Sequence, residues 1–404
     1  MKVLLHSWSQ WSTSHKGVHM QFDVVIVGGG AHGCALAYEL AKNNRSVAVV
    51  EARSLAAEAS GGFGKRGVRA NFRDIREMRL MAEAHEHWPR LADELEGETG
   101  YVRTGGLFLV EKEAVGTTGG VVASKVRAST QTRLGIPTEV WDQKQVFDAL
   151  PTVSNAIRCG IYTPQDGIAS HEATTLSYAN AAQRNGAVFI ENTTVAGINT
   201  QEGGHATGVT TATGEAIVAR QSVVVTANVA SAGLIGNVYG GSLPTWPVYP
   251  QALLLKSQHK PEIPFLTGHD SRSLSIKILE NDLVMLSGGW RGQYDPETGR
   301  GTTIQANLDG NIAELRTVFP GLGELELIRA EASRSESSCI DQIPIIDVVP
   351  GSTNVVVAAG WSGHGWALVP SVARNLAAWI HTGHKPSALK PFTFSRLSLE
   401  AGQC

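Results

Sequence analysis

Cysteine is scarce in this 404-residue chain: Cys34, Cys159, Cys339 and Cys404 are scattered and form no C-x-x-C pair. That excludes a disulfide-rich scaffold and fits a reduced, cytoplasmic setting. Long apolar runs are missing too, so no membrane span is expected. Residues 1–20 lack a continuous apolar stretch and a small-residue cleavage site, and read as a flexible extension. Met20 stands directly before the first expected strand, a natural place for translation to begin. A formal charge of −3 offers no nucleic-acid surface. Internal repeats and low-complexity segments are absent. What remains is 42 % hydrophobic and 18 % charged, the balance of a soluble globular protein long enough for two joined domains.

The chain is organised around FDVVIVGGGAHGCALAYELAKNNRSVAVVEAR, residues 22–53. Residues 23–27 form an apolar, β-branched run that reads as a buried parallel strand. Gly28, Gly30 and Gly33 follow in G-x-G-x-x-G spacing and open a helix through Ala31, His32, Leu36 and Leu40. Residues 46–50 are a second strand, and Glu51 and Ala52 stand at its end. Gly28 permits the turn, Gly30 lets a pyrophosphate approach, and Gly33 lets helix and strand pack. The helix N-terminus offers free N–H groups to the phosphates. Glu51 is placed to accept from a ribose and would repel a 2′-phosphate, which favours FAD or NAD over NADP.

Beyond Arg53, residues 55–73 combine glycines with Lys65, Arg66, Arg69 and Arg73, a composition unsuited to a regular core element and suited to meeting an anion. Residues 75–95 read as one long amphipathic helix. His85 and His87 point to different sides of it, so no metal site is expected. Residues 102–111 and 139–141 read as strands of a second sheet. Residues 171–184 form a helix, with strands at 187–191, 195–198 and 221–226. Residues 241–286 are strand-rich and suit an antiparallel sheet, 275–290 reads as a hairpin, 311–318 as a helix, and 325–334 as a strand returning to the first domain. The last informative run, residues 354–380, is again strand, glycine turn and helix. Its GWSGH is not the G-x-S-x-G of a serine hydrolase, because His364 stands where glycine is required, and no acid–histidine order supports a serine nucleophile. The expected fold class is therefore α/β with an α+β second domain: an interrupted Rossmann-like nucleotide domain (21–100, 151–240, 330–385) and an antiparallel-sheet domain (101–150, 241–329). Residues 386–404 are left as a C-terminal tail.

Four separated stretches, VVIVGGGAHGCALAYELA with AVVEA, EASGGFGKRGVRANFR, DGIASHEATTLSYANAAQRNGAVF and AAGWSGHGWALVPSVARNLAAWI, resemble the D-amino-acid-oxidase-like flavoprotein superfamily. The likeness is nearest to its sarcosine and secondary-amine oxidase branch and runs from residue 21 to about residue 380. It implies FAD, a discontinuous FAD domain, and an antiparallel sheet roofing the flavin. By the resemblance Glu51 holds the ribose, Arg53 lies near the adenine, Ser60 meets the pyrophosphate, and Val195 and Ala227 line the same path with Gly67. Gly360, Gly363, His364 and Gly365 offer their turn to the flavin pyrimidine. Arg66 stands near the ring, Arg69 grips a substrate carboxylate, and Lys277 faces flavin N5 and assists reaction with oxygen. Arg291, Glu336 and Trp366 complete a substrate pocket. The implied reaction is oxidation of a C–N bond in a small secondary amine, such as sarcosine, dimethylglycine or iminodiacetate, by hydride transfer. Hydrolysis of the imine and reoxidation by O2 or another acceptor follow.

The chain departs from that pattern at three places. Glu336 stands where glycine and D-amino-acid oxidases carry an arginine, and Trp366 follows GHG where sarcosine oxidases carry a basic residue. The position of their covalent cysteine falls at Arg334, five residues before Cys339, so FAD is expected to be noncovalent, with a shifted linkage through Cys339 as the alternative. Two other functions remain open: an FAD subunit of a heteromeric opine or amino-acid dehydrogenase, and an NAD-dependent dehydrogenase.

Overall fold

The structure, a computed structural model, describes residues 20–62, 64–113 and 119–397. The expected N-terminal extension, up to residue 19, and residues 398–404 of the tail lie outside these. Strand β1 (Met20–Val27), helix α1 (Ala31–Lys42) and strand β2 (Val47–Val50) follow one another as expected. Val24 to Val27 are at most 4 % exposed, because helices or loops cover both faces of the sheet and β-branched side chains fill the pleat. α1 ends at Asn43, whose N–H returns to the Leu40 carbonyl, while the Asn44 N–H returns to Ala41.

Two eight-stranded sheets organise the described residues. In the first, β1 lies between β2 and Ala216–Val225, and Val355–Ala359 and Val188–Ile190 extend it, all in parallel. Ile345–Val348 closes one edge antiparallel. Helices His171–Arg184 and Val369–Thr382 pack beside α1 through small residues, including Ala35, Ala37, Ala179, Ala182 and Ala373. The second sheet runs Leu325–Glu331, Ala252–Ser257, Val284–Ser287, Ser275–Ile278, Leu266–His269, Gly106–Val110, Cys159–Thr163, Glu139–Asp142. It is antiparallel except where Leu266–His269 meets Gly106–Val110. Its core is Leu253, Leu255, Ile276 and Leu286, covered by helix Gln305–Val318.

Five expectations are corrected. Residues 75–95 are not one helix but Met78–His87 and Leu91–Leu95, each preceded by a 3-10 turn, because Pro89 cannot continue the first. Residues 55–73 do contain a regular element: Lys65–Val68 pairs with Gly167–Ser170. Cys159–Thr163 belongs to the second sheet rather than to the nucleotide domain, and Leu325–Glu331 stays there, paired with Ala252–Ser257. Residues 387–397 of the tail are anchored, with Leu389 and Phe392 fully buried and the Phe394 N–H bonded to Asp347.

Candidate active site

One elongated cavity of about 1180 Å³ runs between the two sheets. Its first end is backbone. Gly28, Gly30, Ala31 and His32 line it, as do Glu51, Ala52 and Arg53 beyond β2. A Cβ on Gly30 would meet nothing within 4 Å, so the turn faces open space. Gly33 does not line the cavity. A Cβ there would fall 1.9 Å from the Gly28 oxygen, which is why helix and strand approach only with glycine. Glu51 accepts from the Gly29 N–H at 2.7 Å and from the Arg53 N–H at 2.9 Å, so it stands fixed at the strand end. The Arg53 side chain is exposed and paired with Glu58. Val195 and Ala227 line the opposite wall.

The second glycine turn forms the middle. Gly363, His364 and Gly365 line the cavity, and Gly363, at φ 83°, has no atom within 4 Å of where a Cβ would stand. Gly360 lies outside it, packed against Cys339 and Thr245. Ser362 is buried at φ 54°, where its hydroxyl accepts from the Cys339 N–H and donates to the Gly360 carbonyl. It is a structural hydroxyl, not a nucleophile. Cys339 does not line the cavity either; its Sγ receives the Arg396 guanidinium at 3.7 Å. His32 stacks flat on Trp361, with ring centres 3.8 Å apart, and burial pulls its pKa down to about 3. Trp366 lies against Trp88 and His171 in the same wall.

Side chains build the other end. Lys277, on the Ser275–Ile278 strand, is 5 % exposed and makes no hydrogen bond or ion pair with the described residues. Burial and then the Arg66 charge lower its ammonium to about pKa 8. Arg66 donates to the Gly62 carbonyl at 2.7 Å, and Gly67 lies beside it. Arg69 donates to the Asn71 carbonyl and lies 5.2 Å over the Phe108 ring. Desolvation brings both guanidiniums to about pKa 10, which leaves them charged at neutral pH. Arg291, bridged to Pro250 beyond the Val284–Ser287 strand, also lines the cavity. Glu336 is 7 % exposed and accepts from the Ser60 hydroxyl, so Ser60 is engaged by an acid rather than free.

Sequence reading marked Arg73 as a cation for an anion but missed what it holds, and missed the other groups that keep this end in place. Arg73 is 8 % exposed; it donates to the Arg69 carbonyl at 2.5 Å and to the His364 carbonyl at 2.9 Å, and pairs with the fully buried Glu77. Asp166, fully buried, accepts from the Ala70 N–H at 2.7 Å and meets the His85 ring at 3.1 Å. Asn228, at φ 50°, bonds both sides of Glu336 through Ser335 and Ser337. Phe72, Phe108 and His269 also line the cavity. Asn228, Phe108 and His269 sit in no motif; Phe72 and Arg73 close the second of the four quoted stretches and Asp166 opens the third, but their partners cannot be read from either.

The residues fit FAD. Two glycine turns open onto one long cavity, an acid stands at the end of β2, and the buried Trp366 Nε1 has no partner among the described residues. A dinucleotide of that length has room here. A family model described as FAD dependent oxidoreductase (DAO) matches residues 23–379. The beta subunit of sarcosine oxidase from an Arthrobacter species is 27 % identical over 388 residues, covering 93 % of this chain and 91 % of that protein. Glycine oxidase of Geobacillus kaustophilus is 27 % identical over 385 residues, covering 93 % and 97 %. The crystal structure of L-proline dehydrogenase from P. horikoshii shares the fold with a TM-score of 0.83, at 23 % identity and coverage of 95 % and 100 %. The chain belongs to the DAO family of FAD-dependent oxidoreductases.

Proposed function

We propose that the protein oxidises the C–N bond of a small amino acid or N-substituted glycine of the sarcosine, dimethylglycine or iminodiacetate type. The observation that carries this reading is the convergence of Arg66, Arg69, Arg291 and Lys277 on one end of the cavity. Four cations around so small a space favour an anionic substrate. FAD, held by both glycine turns and Glu51, would supply the two-electron acceptor. Arg69 takes the substrate carboxylate in its planar fork and so sets which carbon faces inward. Arg66 and Lys277 keep that end of the cavity positive, and the stacked walls of His32, Trp361 and Trp366 exclude water. Hydride transfer asks mainly for positioning, so no Ser/His/Asp or metal constellation is required. The test is anaerobic bleaching of the flavin by a panel of N-substituted glycines, D-amino acids, L-proline and polyamines. Bleaching by carboxylate-bearing amines supports the reading, and preference for a polyamine overturns it.

A second reading is favoured by the Arthrobacter relative, whose name makes it a subunit. In it this chain works inside a larger assembly and passes electrons to a partner. Activity of the single polypeptide, measured with its mass in solution, separates the two.

A further inference from the structure

Glu336 is the buried acid at the side-chain end of the cavity. Its carboxylate is 7 % exposed, on a strand (Glu336–Cys339) whose position is fixed on both sides by Asn228. One oxygen accepts from the Ser60 hydroxyl, while Oε1 is buried with no hydrogen-bond partner among the described residues. The Gly363 N–H lies near the carboxylate without completing that oxygen. Arg66 and Arg291 flank the group from two other elements, yet neither forms an ion pair with it; Arg66 gives one N–H to the Gly62 carbonyl, and its Nε has no partner among the described residues. A buried carboxylate oxygen left without a donor is costly, so the site is built for a donor that arrives with a ligand. Arg291, whose charge acts on Glu336, and Arg69 on the same cavity would receive a substrate carboxylate, and the acid complements a positive centre on the same small molecule.

We propose that Glu336 receives the substrate's ammonium group and removes its proton, so that the neutral amine is the form oxidised. The inference rests on the amine-oxidising reading above and deepens it. In the step, an N–H bond of R2NH2⁺ breaks and an O–H bond forms on Glu336 Oε1, giving R2NH and a neutral carboxylic acid. No electrons move, and the proton passes to solvent after product leaves. Burial holds the carboxyl above its ordinary pKa, against the opposing pull of Ser60, Gly363, Arg66 and Arg291, which makes it a better proton acceptor than a solvated acid. The assignment narrows the substrate to a zwitterion: a carboxylate for Arg69 and a protonated primary or secondary amine for Glu336.

The experiment uses the FAD-loaded enzyme with sarcosine and L-proline as probes, followed by anaerobic flavin bleaching from about pH 6 to about pH 10, where such amines lose their own proton. Wild type should approach a plateau near neutrality. Glu336→Gln should bleach at least about tenfold more slowly at neutral pH and recover about tenfold per pH unit, because solvent must now remove the proton. Glu336→Asp, which keeps the acid and withdraws it, should be slower with the wild-type pH profile. FAD titrated into the apoprotein should bind wild type and both variants alike. A Glu336→Gln enzyme with the wild-type pH profile overturns the proposal. So does a folded Glu336→Gln protein that no longer binds FAD, since the carboxylate would then serve the cofactor. If the Gln variant does not fold, an Asp variant with the full wild-type rate overturns it. Wild type that neither probe bleaches overturns the functional reading first, and this inference with it.

Discussion

At the end of the cavity bounded by β1, α1 and β2, the walls are mostly backbone drawn from one run, residues 22–53. At the far end the walls are side chains of Arg69, Phe108, His269, Lys277, Arg291 and Glu336, carried by separate strands and loops. A backbone wall is indifferent to most side-chain changes and fails only where a Cβ cannot fit. A side-chain wall fails at single residues and depends on what pins each of them. The first end therefore governs whether the cofactor is held, and the second governs what is oxidised.

The sharpest test of this contrast lies within the glycine motif and carries the largest expected effect. In Gly33→Ala the new Cβ would fall 1.9 Å from a backbone oxygen that cannot move without shifting β1. Ordinary overpacking costs about 1–3 kcal/mol; against rigid backbone we expect loss of the folded, FAD-loaded protein. Gly30→Ala has open space on the protein side, so it should keep its thermal midpoint and bind FAD about tenfold more weakly, as read by titration of the apoprotein. Equal losses of stability in the two variants would erase the distinction between a packing glycine and a cofactor glycine.

Arg73 should come next, because it ties the second glycine turn to the side-chain end. Its guanidinium holds the Arg69 and His364 carbonyls and neutralises Glu77, which is fully buried. Arg73→Met leaves that carboxylate unpaired, at a cost of about 3–5 kcal/mol in denaturant unfolding of the holoenzyme. Both FAD affinity and substrate KM should worsen in any protein that remains folded. Arg69→Lys should be milder in stability yet severe in turnover. Losing the bidentate fork costs about 2–4 kcal/mol, or about 30- to 1000-fold in kcat/KM, with the flavin absorption spectrum nearly intact. An Arg69→Lys enzyme of unchanged kcat/KM would mean that the carboxylate lies elsewhere, with Arg291 the next arginine on the cavity.

The same contrast explains what could be read before any coordinates. β1, the glycine turn, α1 and β2 are contiguous and obey periodicities of two and 3.6 residues, so their pattern declares them. The second turn was legible because Gly363 and Gly365 repeat that logic between a β-branched strand and a helix. Asp166 and Asn228 were illegible, and Arg73 legible only as a cation, because their partners are distant: His364 for Arg73, Ala70 and His85 for Asp166, Ser335 and Ser337 for Asn228. Cys159–Thr163 misled because its alternation suits either sheet, and only pairing with Gly106–Val110 decides which. Cys339 looked reactive by its place in the sequence, whereas strand pairing with Thr245–Val248 turns it toward Arg396 and away from the cavity.

The smallest expected effect, and the one that bears on how reduced enzyme is reoxidised, belongs to Lys277. The strand alternation that buries Ile276 in the second sheet's core turns Lys277 toward the cavity, where its ammonium has no counter-ion among the described residues. Burial, with Arg66 nearby, lowers the group to about pKa 8. The sign follows directly. Below that pH the ammonium is charged and favours negative charge developing beside it as electrons pass to oxygen; above it the charge is lost. Reoxidation by oxygen should fall by up to about tenfold per pH unit above the titration, while anaerobic flavin reduction should not share that fall. Lys277→Met should slow reoxidation at neutral pH and abolish its decline at alkaline pH. Stopped-flow measurement of the two half-reactions separates this from a general loss of activity. If both half-reactions slow equally, Lys277 shapes the cavity wall rather than the electron-transfer step, and the far end of the cavity is held together by its arginines alone.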